Sequence, residues 1–146
     1  MSFRCRFFAV LPAALLCAAA GAAVAYHRED FGNTVLEVST NQDDTRAVRY
    51  YQLWTENDWL TCSNEVTISG VVTAVNFEFP KEVSSFTLHL AKRGDIEFDV
   101  DREDLPQSRK WILSTLIKRG ARIKTVSRGC GSASAPYLIS VSRAGT

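Results

Sequence analysis

Between Val66 and Val100 the chain alternates apolar and polar side chains in three successive runs, a period of two that suits strands rather than a helix. Val66, Ile68 and Gly70 share one phase, and Val71, Thr73, Val75 and Phe77 continue on the other. A change of phase at a glycine predicts a bulge at Gly70, in a long bent strand able to serve two sheets. Phe79-Pro80-Lys81-Glu82 breaks the run as a loop. Phe86, Leu88 and Leu90 then alternate with Thr87, His89 and Ala91, giving a half-buried second strand. Lys92-Arg93-Gly94-Asp95 reads as a turn, and Ile96, Phe98 and Val100 form the third strand.

Beyond Val100 the period changes. Asp104 and Pro106 stand where a helix cap and a first-turn proline belong, and Ile112, Leu113, Leu116 and Ile117 follow at helical spacing until Gly120. Trp111 is expected to pack. Ile123 to Val126 gives a fourth strand, residues 127–136 a Gly/Ser-rich loop, and Tyr137, Ile139 and Val141 a fifth. The order β-β-β-α-β-β is that of an OB-fold, a five-stranded Greek-key barrel. The expected class is therefore mainly β with one helix, an OB-fold-like barrel over residues 62–146. An open α+β sheet with the same element order is the competing arrangement. Residues 26–61 precede the barrel as an extension. In it Thr34 to Ser39 suits a strand, 41–44 a turn, and Ala47 to Thr55 a second strand or a helix. Tyr50, Tyr51 and Trp54 favour a hairpin.

The N-terminus has the parts of a secretory signal: Arg4 and Arg6, an apolar stretch from Phe7 to Val24, and the small-x-small site Ala23-Val24-Ala25. An uncleaved anchor and acylation at Cys17 are the alternatives. Pro12, Gly21 and the alanine content oppose the first, and Leu16 before the cysteine opposes the second. Cleavage after Ala25 leaves a secreted or periplasmic domain with no stable membrane anchor. It also removes two of 17 basic residues, leaving 15 against 16 acidic. So balanced a charge gives no long-range pull toward phosphate backbones, and nucleic acid is not an expected partner. Cys5 and Cys17 leave with the signal, so Cys62 and Cys130 have only each other to pair with in an oxidising compartment.

The residues point to binding rather than catalysis. The part after residue 25 holds only His27 and His89, too few for a histidine metal cage, and no nucleophile elbow or phosphate-cradling loop is present. No cofactor is expected. A hydrolase built on His89 and a neighbouring carboxylate is the remaining enzymatic alternative. Asp95, Glu97, Asp99 and Asp101 alternate with apolar residues and so share one face of a strand. That stripe is either an edge kept soluble by charge or a surface for a basic partner or a cation. It also opposes single-stranded nucleic acid, which an OB-fold holds across strands two and three on aromatic platforms. Rim loops supply the candidate ligand contacts: Phe77, Phe79 and Lys81 in the first loop, and Arg128 and Ser132 in the last.

Residues 62–142 resemble small exported bacterial OB-fold proteins, and more faintly the receptor-binding B subunits of AB-type toxins. Thr61-Cys62-Ser63 precedes the first strand, and the acidic strand Gly94 to Val100 leads into a helix at Gln107–Lys118. Gly129-Cys130-Gly131 then precedes the last strand, Tyr137 to Ser142. The resemblance implies a paired disulfide, a homo-oligomeric ring and a glycan-binding surface. The resulting expectation is an exported, non-enzymatic module recognising a glycan or protein ligand. An envelope or stress protein of the periplasm that works by protein–protein interaction is the alternative.

Overall fold

The computed structural model describes residues 24–41, 45–53, 62–130 and 136–145. The signal segment up to residue 23, Trp54, Trp59 and Ser132 lie outside the described residues. Eight strands, β1 (Tyr26–Phe31), β2 (Thr34–Thr40), β3 (Arg46–Leu53), β4 (Val66–Phe79), β5 (Glu82–Leu90), β6 (Gly94–Asp99), β7 (Arg122–Arg128) and β8 (Tyr137–Arg143), accompany one short helix, α1 (Gln107–Ile112). A 3-10 turn at Leu113–Thr115 extends that helix. All strand pairs are antiparallel, in the order β1-β2-β3-β8-β7-β4-β5-β6.

This sheet corrects the expected five-stranded OB-fold barrel, and with it the likeness to toxin B subunits. A barrel of residues 62–146 closes only if β8 pairs with β6. Instead, part of the free edge of β8 is taken by β3, where Tyr50, Tyr51 and Gln52 face Ser142, Val141 and Ser140. Among the described residues no ladder joins β6 or β1 to another strand across the remaining gap, so both are edges and the sheet is open.

Residues 101–115 hold the gap together through side chains. The Tyr51 hydroxyl donates to the Asp101 carbonyl at 2.5 Å, and the Asn33 amide donates to Asp104 Oδ2 at 3.1 Å. Arg109 grips Glu29, with Nη2 to Oε1 at 2.8 Å, and the Val48 amide donates to Thr115 Oγ1 at 2.8 Å. Beneath this seam lies a single core. It joins Leu36 and Val38 of β2, Val48 and Tyr51 of β3, Phe86 and Leu88 of β5, Phe98 of β6, and Leu113, Leu116 and Ile117 after the helix. Phe86 and Phe98 stack with centroids 5.3 Å apart.

Local departures have clear physical causes. The phase change in β4 falls at the irregularity between Val72 and Ala74, not at Gly70: Ile68 and Val72 keep one inward phase, and Val75 takes the next. Gly70 is required for a different reason. A Cβ there would stand 2.4 Å from the His89 carbonyl oxygen, where β4 passes from pairing with β7 to pairing with β5. Asp104 serves as acceptor for Asn33 rather than as the helix cap, and Pro106 itself occupies the N-cap position. The α-helix is six residues long, not the expected twelve, and Trp111 on it is 47% exposed rather than packed. Cys62 and Cys130 are joined by a disulfide that clamps the end of the β4–β7 ladder.

Candidate functional site

Because the sheet is open, the seam leaves a cleft of about 760 Å³. The tip of the β4–β5 hairpin contributes Glu78, Phe79 and Glu82, and the stretch leaving β6 contributes Asp99, Asp101, Arg102 and Glu103. Cys130, Tyr137 and Leu138 form the opposite wall, and Lys110 reaches in from α1. Five carboxylates thus face two cations.

Burial sorts these charges. Glu82 is 5% exposed, and a carboxylate so placed is tolerated only with partners. It has two: Gln107 donates to it, and the Arg102 guanidinium lies with Nε 3.6 Å from Oε2. Arg102 also donates to Glu78, so one half-buried arginine offsets two carboxylates. Asp99 and Glu103 have no side-chain partner among the described residues, and the Asp101 carboxylate accepts only the Glu103 amide, at 3.1 Å. The excess of the cleft is therefore negative and rests on Asp99, Asp101 and Glu103.

The hairpin tip is tight. Phe79 pairs with Glu82 across Pro80 and Lys81, and Lys81 adopts φ 73°, the left-handed conformation that the third residue of a type II turn needs. The turn leaves Phe77 and Phe79 50% and 57% exposed. Two further hollows of about 450 and 700 Å³ share Phe77 and Ser114, and the smaller adjoins the cleft at Glu78 and Phe79. Ala74, Val75, Phe79, Pro80 and Ile117 make them apolar, and Lys81, Lys118 and Arg119 supply their cations.

The structure distributes the residues singled out from sequence over several places. Phe79 lines both the cleft and the apolar groove, whereas Phe77 and Lys81 line only the groove. Arg128, at the end of β7, is bound to Glu65 at 2.8 Å and lines neither the cleft nor the groove. Of the acidic stripe, Asp95 contacts His89 Nδ1 at 2.7 Å, and Glu97 accepts Ser85 Oγ at 2.9 Å and Asn76 Nδ2 at 3.4 Å. Only Asp99 and Asp101 reach the cleft. Both members of the His89–Asp95 pair are more than half exposed, outside the cleft and the groove. Among the described residues no three His, Cys, Asp or Glu side chains are placed to hold a metal ion, and no helix is long and apolar enough to cross a membrane.

Sequence reasoning missed the Arg102–Glu82–Gln107 cluster, Tyr137, and the cations Lys118 and Arg119. A signal for the last was available: residues 105–146 contain eight basic and no acidic residues. No family model matches the chain, and neither a curated protein nor a solved structure is similar to it.

Proposed function

We propose that this chain is an exported, non-enzymatic binding protein that accepts a basic protein segment in the seam cleft. The observation that carries the reading is the lining of that cleft. Three carboxylates that have no cationic partner among the described residues share the cleft with the aromatic side chains of Phe79 and Tyr137, in a volume large enough for several side chains. Carboxylates attract lysine or arginine, and an aromatic face adds a cation–π contribution at short range. A sugar would leave most of this negative charge unanswered. The secretory character of the first 25 residues and the disulfide favour action in an oxidising compartment.

The test is fluorescence anisotropy with a short labelled peptide of alternating lysine and threonine, beside its glutamate–threonine counterpart. The lysine peptide should bind, the glutamate peptide should not, and affinity should fall at least about tenfold from ~50 to ~500 mM salt. Asp99→Asn with Asp101→Asn and Glu103→Gln should cost about tenfold in affinity, at a few tenths of a kcal/mol to 1 kcal/mol per exposed charge. Phe79→Ala should weaken binding with little loss of thermal stability, because its ring is 57% exposed. Equal binding of both peptides, or salt-independent capture of a neutral oligosaccharide instead, would sink the proposal.

A further inference from the structure

The chain carries its own candidate for a basic partner. Every one of its 16 acidic residues lies at or before Asp104, while eight of its 17 basic residues follow. Folding turns this division into two neighbouring surfaces. Glu78 and Phe79 line both the acidic cleft and the apolar groove, so the two sites adjoin at the tip of one hairpin. On the acidic side Asp99, Asp101 and Glu103 have no cationic partner among the described residues. On the other, Lys81, Lys118 and Arg119 stand around Val75, Phe77 and Ile117, and none of the three is ion-paired among the described residues.

We infer that the segment taken by the cleft is the Phe77–Lys81–Lys118–Arg119 flank of a second copy of this chain. The inference rests on the cleft being a site for a basic protein segment. A two-fold axis beside the hairpins brings each copy's basic flank onto the other's acidic one, a self-complementary contact made twice. The same contact covers Phe77 and Phe79, two of the most exposed large apolar side chains among the described residues. After residue 25 the chain holds 15 basic and 16 acidic residues, so global repulsion does not oppose the pairing while the local fields favour it.

The experiment is the solution mass of the disulfide-bonded protein, purified from the periplasm of an expressing bacterium. It is measured by light scattering after size exclusion at ~50 and ~500 mM salt. A mass of twice the single chain at low salt, falling toward one chain at high salt, is expected. Lys118→Glu with Arg119→Glu makes both flanks acidic, and Asp99→Lys with Asp101→Lys makes both basic. Each variant alone should be monomeric, and an equimolar mixture should restore the dimer. All four side chains are exposed, so thermal melts should match the parent. Should one pair misfold, Lys81→Glu is a second, independent reversal on the basic flank. The lysine–threonine peptide should compete with the dimer. A monomer at every salt and concentration that still binds that peptide overturns self-association and leaves the cleft reading standing; a monomer that binds neither overturns both. A dimer indifferent to salt and to both reversals overturns the inference. So does a monomer that instead binds vesicles of phosphatidylglycerol through Phe77 and Lys118.

Discussion

Replacing Cys62 and Cys130 with serine tests how the fold is held at the end where its longest strand begins. The bridge spans 68 positions, and the chain-entropy relation assigns a closed loop of that length about 4 kcal/mol at 25 °C. Its native surroundings are already paired: the Ser63 amide donates to the Gly129 carbonyl at 2.7 Å, and the Gly129 amide donates to Ser63 Oγ at 3.0 Å. The folded state therefore keeps these contacts when the sulfurs go, and the loss falls on the unfolded ensemble. For a domain of roughly 120 residues, about 4 kcal/mol corresponds to a melting temperature lower by about 15 °C. Urea titration followed by tryptophan fluorescence reads both quantities of interest. The midpoint should drop, and the slope m should rise, because an unbridged unfolded chain exposes more surface. Out of a total stability of about 5–15 kcal/mol, the doubly substituted protein should still fold at room temperature. A loss below about 1 kcal/mol with an unchanged slope would refute the reasoning, since it would require the reduced unfolded chain to stay as restricted as the bridged one.

Two further substitutions probe the seam. Tyr51→Phe leaves the Asp101 carbonyl without its 2.5 Å donor and should cost about 1–2 kcal/mol in a urea melt; burial raises the pKa of this hydroxyl, so the cost should not vary between pH 6 and 9. The Arg109 guanidinium bound to Glu29 holds that carboxyl below its ordinary value of 4.5, with His27 adding to the effect. The stability it provides is thus full above about pH 4.5 and is lost as the pH falls through the lower, folded-state value. Glu29→Gln should therefore lower stability by about 1–2 kcal/mol at pH 7 and by progressively less as the pH falls below about 4.5, measured by thermal melts across that range. A constant difference at all pH values would remove the ion pair as the cause.

What was legible in the sequence follows the solvent. β5 and β6 each present one wet face, so the inward positions of Phe86, Leu88, Leu90, Phe98 and Val100 could be read by alternation alone. In β2 both Val35 and Leu36 are buried, residues of opposite faces, so alternation carries no record of where that strand sits. The pairing of β3 with β8 joins segments some ninety positions apart and involves only three residue pairs, and no local pattern announces it. That one pairing separates an open eight-stranded sheet from the barrel. The helix was misjudged for a related reason. Leu113, Leu116 and Ile117 keep helical spacing in sequence, but the chain enters a 3-10 turn at Leu113, and Trp111 is left on the outer side. Of the acidic stripe, Asp95, Glu97 and Asp99 alternate along β6 while Asp101 lies beyond its end. The four divide in use: Asp95 and Glu97 satisfy neighbours on β4 and β5, and only Asp99 and Asp101 enter the cleft.

The stretch from Val100 to Leu105 connects the fold to the site. Val100 and Leu105 are buried in the core, and between them Asp101 receives Tyr51 while Asp104 receives Asn33, so this segment does the sealing that a closing strand pair would do in a barrel. A strand pair would have consumed its polar backbone in a ladder and turned its side chains alternately in and out. An irregular seal leaves Asp101, Arg102 and Glu103 all on the cleft, which is how one short segment brings two carboxylates and the cation of the Glu78–Glu82 cluster to a single hollow. On the proposed reading, a basic segment that bridges Asp99, Asp101 and Glu103 should relieve repulsion in the segment that holds β1–β3 to the rest of the sheet. The lysine–threonine peptide should then raise the melting temperature, and a variant with a loosened seam should bind it more weakly.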